Sequence, residues 1–314
     1  MDQLSRVHIV ILSFNRLDCL PRLFKDLLYP ASERGATITF IDNASNNELR
    51  TFLKQQPTSI NIQYILNNEN YGVSKGRNLG FKNTKREFIV NLDDDAIMSV
   101  DDLYKIPETF DKLPDAGILA FRVHHGITGE AQNETHAFKT FVGNFHGAGH
   151  AIRSNLFSKI GYLDESCFFG AEELEFSMRA RSIGFNTVFI PAINVQHFSI
   201  QRVGGENFKR RINWSKNYSK VLFRYLPLQI ASLFAWRLLI SYILNGFKVH
   251  HLKMAILPIA MSFGAVSGIK TRNLLNREAV KFYTNPNTTP DLGNVPLRTK
   301  LFRKIKNQTF TKLS

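Results

Sequence analysis

Short apolar runs alternate with amphipathic stretches as far as about residue 200. Six runs rich in β-branched and aromatic residues predict strands at residues 7–13, 37–41, 60–66, 87–92, 117–123 and 187–195. Between them, apolar residues at helical spacing predict helices at residues 17–28, 48–55, 74–83 and 101–110. Strands that alternate with helices form βαβ units, so the pattern predicts an α/β fold on a mainly parallel sheet.

Polar clusters follow the first four predicted strands. They occupy residues 13–16, 42–45, 67–75 and 93–95. In open parallel sheets, ligands bind beyond the carboxyl ends of the strands. The pattern therefore predicts one binding site at this edge of the sheet.

In the last third of the chain, turn-forming residues are few, and two segments, residues 226–245 and 254–269, are strongly apolar. Arg237 interrupts the first segment, and the second has sixteen residues and contains Pro258. Because a spanning helix needs about 20 apolar residues, neither segment is predicted to cross a membrane. Two interpretations stay open, namely helices lying in a membrane interface and a helical subdomain packed on the catalytic core.

These differences in sequence pattern divide the chain into three predicted regions. Residues 1–205 form the predicted catalytic domain, with a nucleotide-binding half at about 1–98 and an acceptor half at about 99–205. Residues 206–284 form a helical, possible membrane-associating region, and residues 285–314 a basic, loop-like tail.

The formal net charge of +14 is concentrated in the last third of the chain. It suits nucleic acid, an anionic membrane or a phosphate-bearing substrate, and a merely solvated basic face is the simpler interpretation. No secretory signal opens the chain, and Cys19 and Cys167 are too few for a disulfide framework. A reducing, cytoplasmic location is therefore predicted.

Three adjacent carboxylates, Asp93, Asp94 and Asp95, follow the fourth predicted strand. Alternate residues at a strand end point the same way, so Asp93 and Asp95 can share one cation while Asp94 points elsewhere. Oxygen ligands suit Mg²⁺ or Mn²⁺, which bridge a diphosphate. An acidic turn or helix start is the alternative interpretation.

Four short polar blocks precede the Asp triplet along the chain. In order, they are Ser13-Phe14-Asn15-Arg16, Asp42-Asn43-Ala44-Ser45, Asn70-x-Gly72 and Lys75-Gly76-Arg77-Asn78. Over about residues 6–200 this ordered set resembles the glycosyltransferase family 2 domain with its GT-A fold, as in non-processive bacterial polysaccharide and rhamnosyl-type transferases. The resemblance implies a mainly parallel mixed sheet flanked by helices. It also implies a donor-nucleotide site that comprises Ser13, Phe14, Asn15, Arg16, Asp42, Asn70, Gly72, Lys75, Arg77, Asp93 and Asp94.

A second acidic block, Ala171-Glu172-Glu173-Leu174-Glu175, resembles the acidic helix of that family, whose second acidic residue is the catalytic base. Glu173 then corresponds to the base, although glutamate replaces the more usual aspartate and leaves Glu172 as the alternative. On a helix Glu172 shares a face with Glu175 and Arg179, which are spaced to pair, while Glu173 points about 100° away. Helix-start acidity alone is the simpler interpretation.

His197 follows the last predicted strand, and the resemblance implies that it completes a metal site with Asp95 and Asp93. Imidazole and carboxylate ligands suit Mn²⁺ or Mg²⁺ as cofactor, and a polar surface or core histidine is the alternative. The segment His146-Gly-Ala-Gly-His150 precedes the acidic block. It is interpreted as a glycine-rich turn with surface histidines, with acceptor contact as the alternative.

Together these features predict an inverting, metal-dependent transferase that moves a sugar from a UDP- or dTDP-sugar to a hydroxyl of a glycan or lipid-linked acceptor. The chain lacks the Gln-x-x-Arg-Trp block of processive synthases. Bacterial surface polysaccharide synthesis, peripheral contact with the inner face of the cell membrane, and no nucleic-acid partner are the accompanying expectations. A nucleotidyltransferase and a non-catalytic basic membrane or nucleic-acid binding protein are the alternatives. No G-x-G-x-x-G follows the first strand, which argues against a dinucleotide-dependent oxidoreductase.

Overall fold

The computed structural model describes residues 2–58, 60–133, 136–199, 205–246 and 256–285. All six predicted strands are present. The strands are β1 (Val7–Ser13), β2 (Thr37–Asp42), β3 (Ile62–Leu66), β4 (Phe88–Asp93), β5 (Ala96–Ile97), β6 (Ala116–His125), β7 (Thr140–Val142), β8 (Gly149–Arg153) and β9 (Asn186–His197). The fold is α/β, as predicted.

The strands form one sheet in the order β3-β2-β1-β4-β8-β6-β9-β5, and β7 pairs with β9. Strands β3, β2, β1 and β4 are mutually parallel, and β6 is parallel to β9. Strand β8 runs antiparallel between β4 and β6 and joins these two parallel groups. The carboxyl ends of the first four strands therefore lie along one edge, where the polar clusters meet.

The helices of the catalytic region flank both faces of the sheet. They are α1 (Leu20–Leu23), α2 (Tyr29–Glu33), α3 (Asn47–Lys54), α4 (Gly72–Lys82), α5 (Val100–Lys112), α6 (Asn155–Ile160) and α7 (Glu172–Ser182). A 3₁₀ turn (Gln3–Arg6) precedes β1. Along β1, Val7, Ile9 and Ile11 join the core on one face, and Val10 joins the core on the other.

The helix predicted at residues 17–28 differs in its bounds and its geometry. A π-helical turn (Phe24–Leu28) links α1 to α2, so the helical run extends to Glu33. Within it the Tyr29 backbone N–H donates to the Phe24 carbonyl, five residues back. Pro30 follows and has no N–H to donate, so the wider turn lets the chain continue past it. Pro21 lies in the first turn of α1, as predicted.

Four further helices complete the described chain: α8 (Gly205–Tyr225), α9 (Leu228–Gly246), α10 (Ile256–Lys270) and α11 (Arg277–Thr284). Tyr218, Leu222 and Tyr225 of α8 share a buried cluster with Leu174 and Met178 of α7. One face of this helical region is therefore packed on the catalytic core, as one of the two interpretations proposed.

None of the helices within the described ranges combines the length and apolarity that crossing a bilayer requires. The predicted basic tail at residues 285–314 lies, apart from Asn285, outside the described residues. The domain boundaries at residues 98 and 205 stay predictions.

Candidate active site

The end of β1 is tied to the acidic triplet by Asp94. The Asp94 carboxylate accepts hydrogen bonds from the Ser13 hydroxyl (2.7 Å) and the Phe14 backbone N–H (3.3 Å). Burial, followed by the charge of Asp95, raises the pKa of Asp94 to about 7. Asp94 thus points toward β1 and away from its two neighbours, as the alternation predicted. The Phe14 side chain is 41% exposed beside it and offers an aromatic face at the rim.

Asp42, at the end of β2, is fully buried and already has partners within the protein. Its carboxylate accepts from the Arg50 guanidinium (2.8 Å) and from the Ser45 backbone N–H (2.8 Å). Arg50 lies eight residues further on, and its side chain is 31% exposed. A base or ribose at this position would therefore meet the exposed part of Arg50 before it reached Asp42. Arg50 lies outside the motifs recognised in the sequence.

The loop after β1 is held against the loop after β2. Asn15 has a left-handed backbone (φ 52°). Its backbone N–H donates to the Ser45 hydroxyl, and its side-chain oxygen accepts from the Asn46 N–H, both at 2.8 Å. Asn tolerates this backbone region better than most residues. Asn15 therefore shapes the predicted nucleotide pocket through its backbone.

Asn43 organises the third polar cluster. Its side-chain amide donates to Asn70 Oδ1 (2.8 Å), and its oxygen accepts from the Tyr71 N–H (3.0 Å). Asn70 Oδ1 also accepts from the Gly72 N–H at 2.8 Å. The Lys75 ammonium lies 3.6 Å from the centre of the Tyr71 ring. This cluster therefore fixes the loop that leads into α4, whose first turn carries Lys75.

Gly72 makes its close approach to protein, whereas the resemblance implied an approach to the nucleotide. It has a left-handed backbone (φ 76°), and a Cβ there would overlap the carbonyl oxygen and the ring of Phe168. The Val73 N–H donates to the same carbonyl at 2.8 Å. The first turn of α4 is thereby joined to the loop that precedes the acidic helix.

Asp93, Asp95 and His197 gather into one cluster. Their ligand atoms all lie within 4.8 Å of one another, and His197 Nε2 is 3.1 Å from Asp95 Oδ1. Two carboxylates and an imidazole form a donor set that suits Mn²⁺ or Mg²⁺. The structure thus places the three predicted metal ligands together.

Arg16 and Gln132 contact two members of this cluster and fix their orientation. The Arg16 guanidinium pairs with Asp95 at 2.9 Å and with Asp18 at 2.9 Å. Arg16 is buried and is an ion-pair partner of a predicted ligand, whereas the resemblance implied contact with the nucleotide. His197 Nδ1 lies 2.5 Å from Gln132 Oε1, which orients the ring with Nε2 toward Asp95. Gln132 lies 65 positions away in sequence, and no signal in the sequence pointed to it.

The pKa values of the histidines in and beside this cluster depend on burial and on neighbouring charges. Burial acts to lower the pKa of His197, but hydrogen bonding to Asp95 and the charge of Asp95 outweigh it and raise the pKa. Burial lowers the pKa of His146 to about 4, and that of His150 to about 3. The interpretation of these two as surface histidines was wrong for His150. It is 1% exposed because β8 places it between β4 and β6.

Arg77 connects the predicted metal site to the predicted base. Its buried guanidinium donates to Asp93 (2.8 Å), to Glu173 (3.2 Å) and to the Gly147 carbonyl (3.0 Å). Glu172 lies 3.8 Å away. The resemblance placed Arg77 among the donor-nucleotide residues, but its side chain is 4% exposed and its donors face these carboxylates. Arg77 therefore holds the acidic groups of both sites in register.

Helix α7 begins at Glu172, after Gly170 and Ala171, which both have left-handed backbones (φ 85° and 68°). Burial, followed by the charge of Glu173, raises the pKa of Glu172 well above its ordinary value. Glu172 Oε2 has no hydrogen-bond partner among the described residues, which suits a carboxyl that keeps its proton. The Glu173 side chain is 16% exposed against 3% for Glu172. Glu173 is thus the more exposed of the two carboxylates.

Glu175 is anchored within the protein. It pairs with Arg179 at 2.7 Å, as the helical spacing predicted, and it accepts from the Tyr225 hydroxyl at 2.5 Å. Lys220 and Arg224 pair with Asp164 at 2.6 and 3.0 Å. Helix α8 therefore clamps both the acidic helix and the loop before it.

Replacing Arg77 by lysine should lower the free energy of unfolding by about 1–3 kcal/mol. A single ammonium cannot serve Asp93, Glu173 and the Gly147 carbonyl together, so buried acceptors lose donors. Urea unfolding of the Arg77→Lys variant measures this loss. Arg22→Lys is the matched control, because the exposed Arg22–Asp26 pair contributes less than about 1 kcal/mol. Equal midpoints for both variants would contradict a bridging role for Arg77.

The strand order, the acidic cluster at the end of β4 and the acidic helix beside it define a glycosyltransferase of the GT-A fold. Residues 8–174, more than half of the chain, match the family described as Glycosyl transferase family 2. The chain therefore belongs to glycosyl transferase family 2. It is 25% identical over 282 residues to the low-salt glycan biosynthesis hexosyltransferase Agl10 of Haloferax volcanii, covering 78% of this chain and 86% of that protein.

Solved structures share the fold. Staphylococcus aureus TarS 1–349 in complex with UDP-GlcNAc superposes with a TM-score of 0.60 at 13% identity, covering 88% of this chain and 91% of that one. The mannosyltransferase PcManGT of Pyrobaculum calidifontis, in complex with GDP-Man and Mn²⁺, has a TM-score of 0.57 at 13% identity and covers 85% and 86%. These similarities confirm the predicted GT-A fold.

Proposed function

We propose that this glycosyltransferase is an inverting, metal-dependent enzyme that transfers a sugar from a nucleotide-diphosphate donor to an acceptor hydroxyl. The observation that carries the proposal is the Arg77 guanidinium, which holds Asp93 of the metal cluster and Glu173 of the acidic helix at once. A diphosphate bound through a metal at Asp93 would therefore lie beside the carboxylate that activates the acceptor.

In this proposal Asp93, Asp95 and His197 hold Mn²⁺ or Mg²⁺, which would neutralise the leaving diphosphate. Glu173 takes the proton of the acceptor hydroxyl. The acceptor oxygen forms its bond to the anomeric carbon on the face opposite the phosphate, and the carbon–oxygen bond to the diphosphate breaks with its electron pair leaving on phosphate. Phe14, Asp42 and Arg50 surround the nucleoside, and Lys75 faces the phosphates.

The acceptor is proposed to be a glycan or lipid-linked hydroxyl in the synthesis of a surface polysaccharide. Agl10 is named for glycan biosynthesis, and TarS and PcManGT were solved with UDP-GlcNAc and GDP-Man, which supports a nucleotide-diphosphate sugar as donor. Within that class we propose a UDP-sugar, with a dTDP-sugar as the second candidate. Because basic residues concentrate in the last third of the chain, we place the enzyme in the cytoplasm at the inner face of an anionic membrane. Nucleic acid has no role in this proposal.

Calorimetry on the purified protein tests the donor site. We expect UDP or dTDP to bind more tightly with Mn²⁺ than without it, and GDP and CMP to bind weakly in both conditions. If all four nucleotides fail to bind with and without Mn²⁺, the proposal is wrong. Tighter Mn²⁺-dependent binding of UTP or dTTP than of UDP or dTDP would instead favour the nucleotidyltransferase alternative.

A further inference from the structure

Helix α10 buries a row of small residues and exposes five large apolar side chains on another face. Ala260, Gly264 and Gly268 are spaced four apart and face α8. A Cβ at Gly264 would overlap the Lys216 carbonyl oxygen, and one at Gly268 would overlap that of Lys220. The two backbones therefore lie in close contact, and the opposite face of α10 points away from the protein.

Five large apolar side chains lie on that outer face together with the exposed Ser262, and we call these five residues the docking ridge. Its members are Ile256, Ile259, Phe263, Val266 and Ile269, which are between 44% and 67% exposed. At 100° per residue they occupy one side of the helix, and Lys270 ends the same side. Trp236 of α9 is 59% exposed. A run of large apolar residues on one exposed helix face marks an interaction surface.

The charge of the surrounding region favours an anionic partner. Between residues 205 and 285 the acidic residues are Glu206 and Glu278. The same stretch contains thirteen basic residues: Lys209, Arg210, Arg211, Lys216, Lys220, Arg224, Arg237, Lys248, Lys253, Lys270, Arg272, Arg277 and Lys281. Two of them, Lys220 and Arg224, pair with Asp164, and the other eleven still outnumber the two acidic residues. A second copy would bring a second excess of positive charge to the contact, whereas an anionic lipid surface would attract it.

The length of α10 decides how it meets a bilayer. Its fifteen residues span about 22 Å, which is shorter than the hydrocarbon core of about 30 Å. A helix with one apolar face and basic surroundings lies along the interface with that face inserted among the acyl chains.

The ridge is also oriented with respect to the active site. Gly264 meets Lys216 and Gly268 meets Lys220, so α10 runs parallel to α8 and starts beside the first half of α8. In that half, the Arg210 guanidinium lies 4.6 Å from the centre of the Phe169 ring. Phe169 belongs to the loop that leads into Glu173.

We propose that the docking ridge inserts into the interfacial layer of an anionic bilayer. The inference rests on the proposed function only in that a lipid-linked acceptor would lie in the same membrane.

Vesicle co-sedimentation of the full chain tests the docking ridge, with phosphatidylcholine vesicles compared with phosphatidylcholine–phosphatidylglycerol vesicles. Phe263→Glu removes apolar area and adds a negative charge on the ridge, so we expect at least a roughly tenfold loss of partitioning into the anionic vesicles. Ile127→Glu is the matched control, because Ile127 is 82% exposed on a turn after β6 and should leave partitioning unchanged. Raising the salt concentration should weaken binding of the wild type.

Three results would overturn the inference: a wild type that ignores anionic vesicles, equal losses for Phe263→Glu and Ile127→Glu, or a dimer that Phe263→Glu dissociates. The last result would show that a second copy covers the ridge. Nucleotide calorimetry on the same samples separates the two proposals. Nucleotide binding without vesicle binding rejects the docking ridge alone. Vesicle binding without nucleotide binding rejects the donor site alone.

Discussion

Glu173→Gln should lower kcat for sugar transfer by roughly 10²- to 10⁴-fold while nucleotide binding stays near the wild-type level. The amide cannot accept the acceptor proton, yet it keeps the size of the side chain and one oxygen toward Arg77 at the position of the 3.2 Å contact. Turnover with a UDP-sugar and an acceptor measures kcat, and calorimetry measures nucleotide affinity. A variant with wild-type kcat would exclude Glu173 as the base.

Glu172→Gln is the matched control for that experiment. Because burial and the charge of Glu173 raise the pKa of Glu172, this carboxyl keeps its proton where a free glutamate has lost it, and an amide resembles it closely. We therefore expect less than about a tenfold change in kcat, well below the effect of losing a general base. If Glu172→Gln is the more damaging of the two, the roles are reversed.

The same pair predicts a difference in how stability depends on pH. A raised pKa means that the folded state holds a proton that the unfolded chain releases. The stability contributed by protonated Glu172 is fully present below the pKa of the unfolded chain and is lost as the pH rises through the raised pKa. Glu172→Gln does not titrate, so its unfolding midpoint should fall less over this range.

The six predicted strands were confirmed because a local run of β-branched and aromatic residues marks each of them. Residues 7–13 form β1 without a change of boundary. Strands β5, β7 and β8 were not predicted. The longest of them, β8, has only five residues, Gly149–Arg153, and it includes a glycine, a histidine and an arginine. Its strand geometry depends on pairing with β4 and β6, and this tertiary contact leaves no periodic signal in so short a segment.

The sequence predicted which residues belong to the candidate site better than it predicted the contacts between them. The pairing of Asp93 with Asp95 followed from the alternation at a strand end, and the place of His197 beside them followed from the family resemblance. The ion pairs that Arg16, in the loop after β1, and Arg77, on α4, form with carboxylates were not predicted. The sequence around each arginine does not show which distant carboxylate its side chain reaches. Gln132 acts on His197 across 65 positions, which spacing cannot reveal.

Asp95→Asn should abolish the gain in nucleotide affinity that Mn²⁺ provides, a loss of more than roughly 100-fold, because direct ligands contribute more than the outer partners whose removal costs 10- to 100-fold. Calorimetry with and without Mn²⁺ measures that gain. Asp95 also pairs with Arg16, so Asp18→Asn is the matched control: it removes the other 2.9 Å carboxylate partner of Arg16 and leaves the cluster intact. Asp18→Asn should keep the Mn²⁺ effect. Equal losses in both variants would assign the effect to the ion pairs of Arg16, and a normal Mn²⁺ effect in Asp95→Asn would remove Asp95 from the metal site.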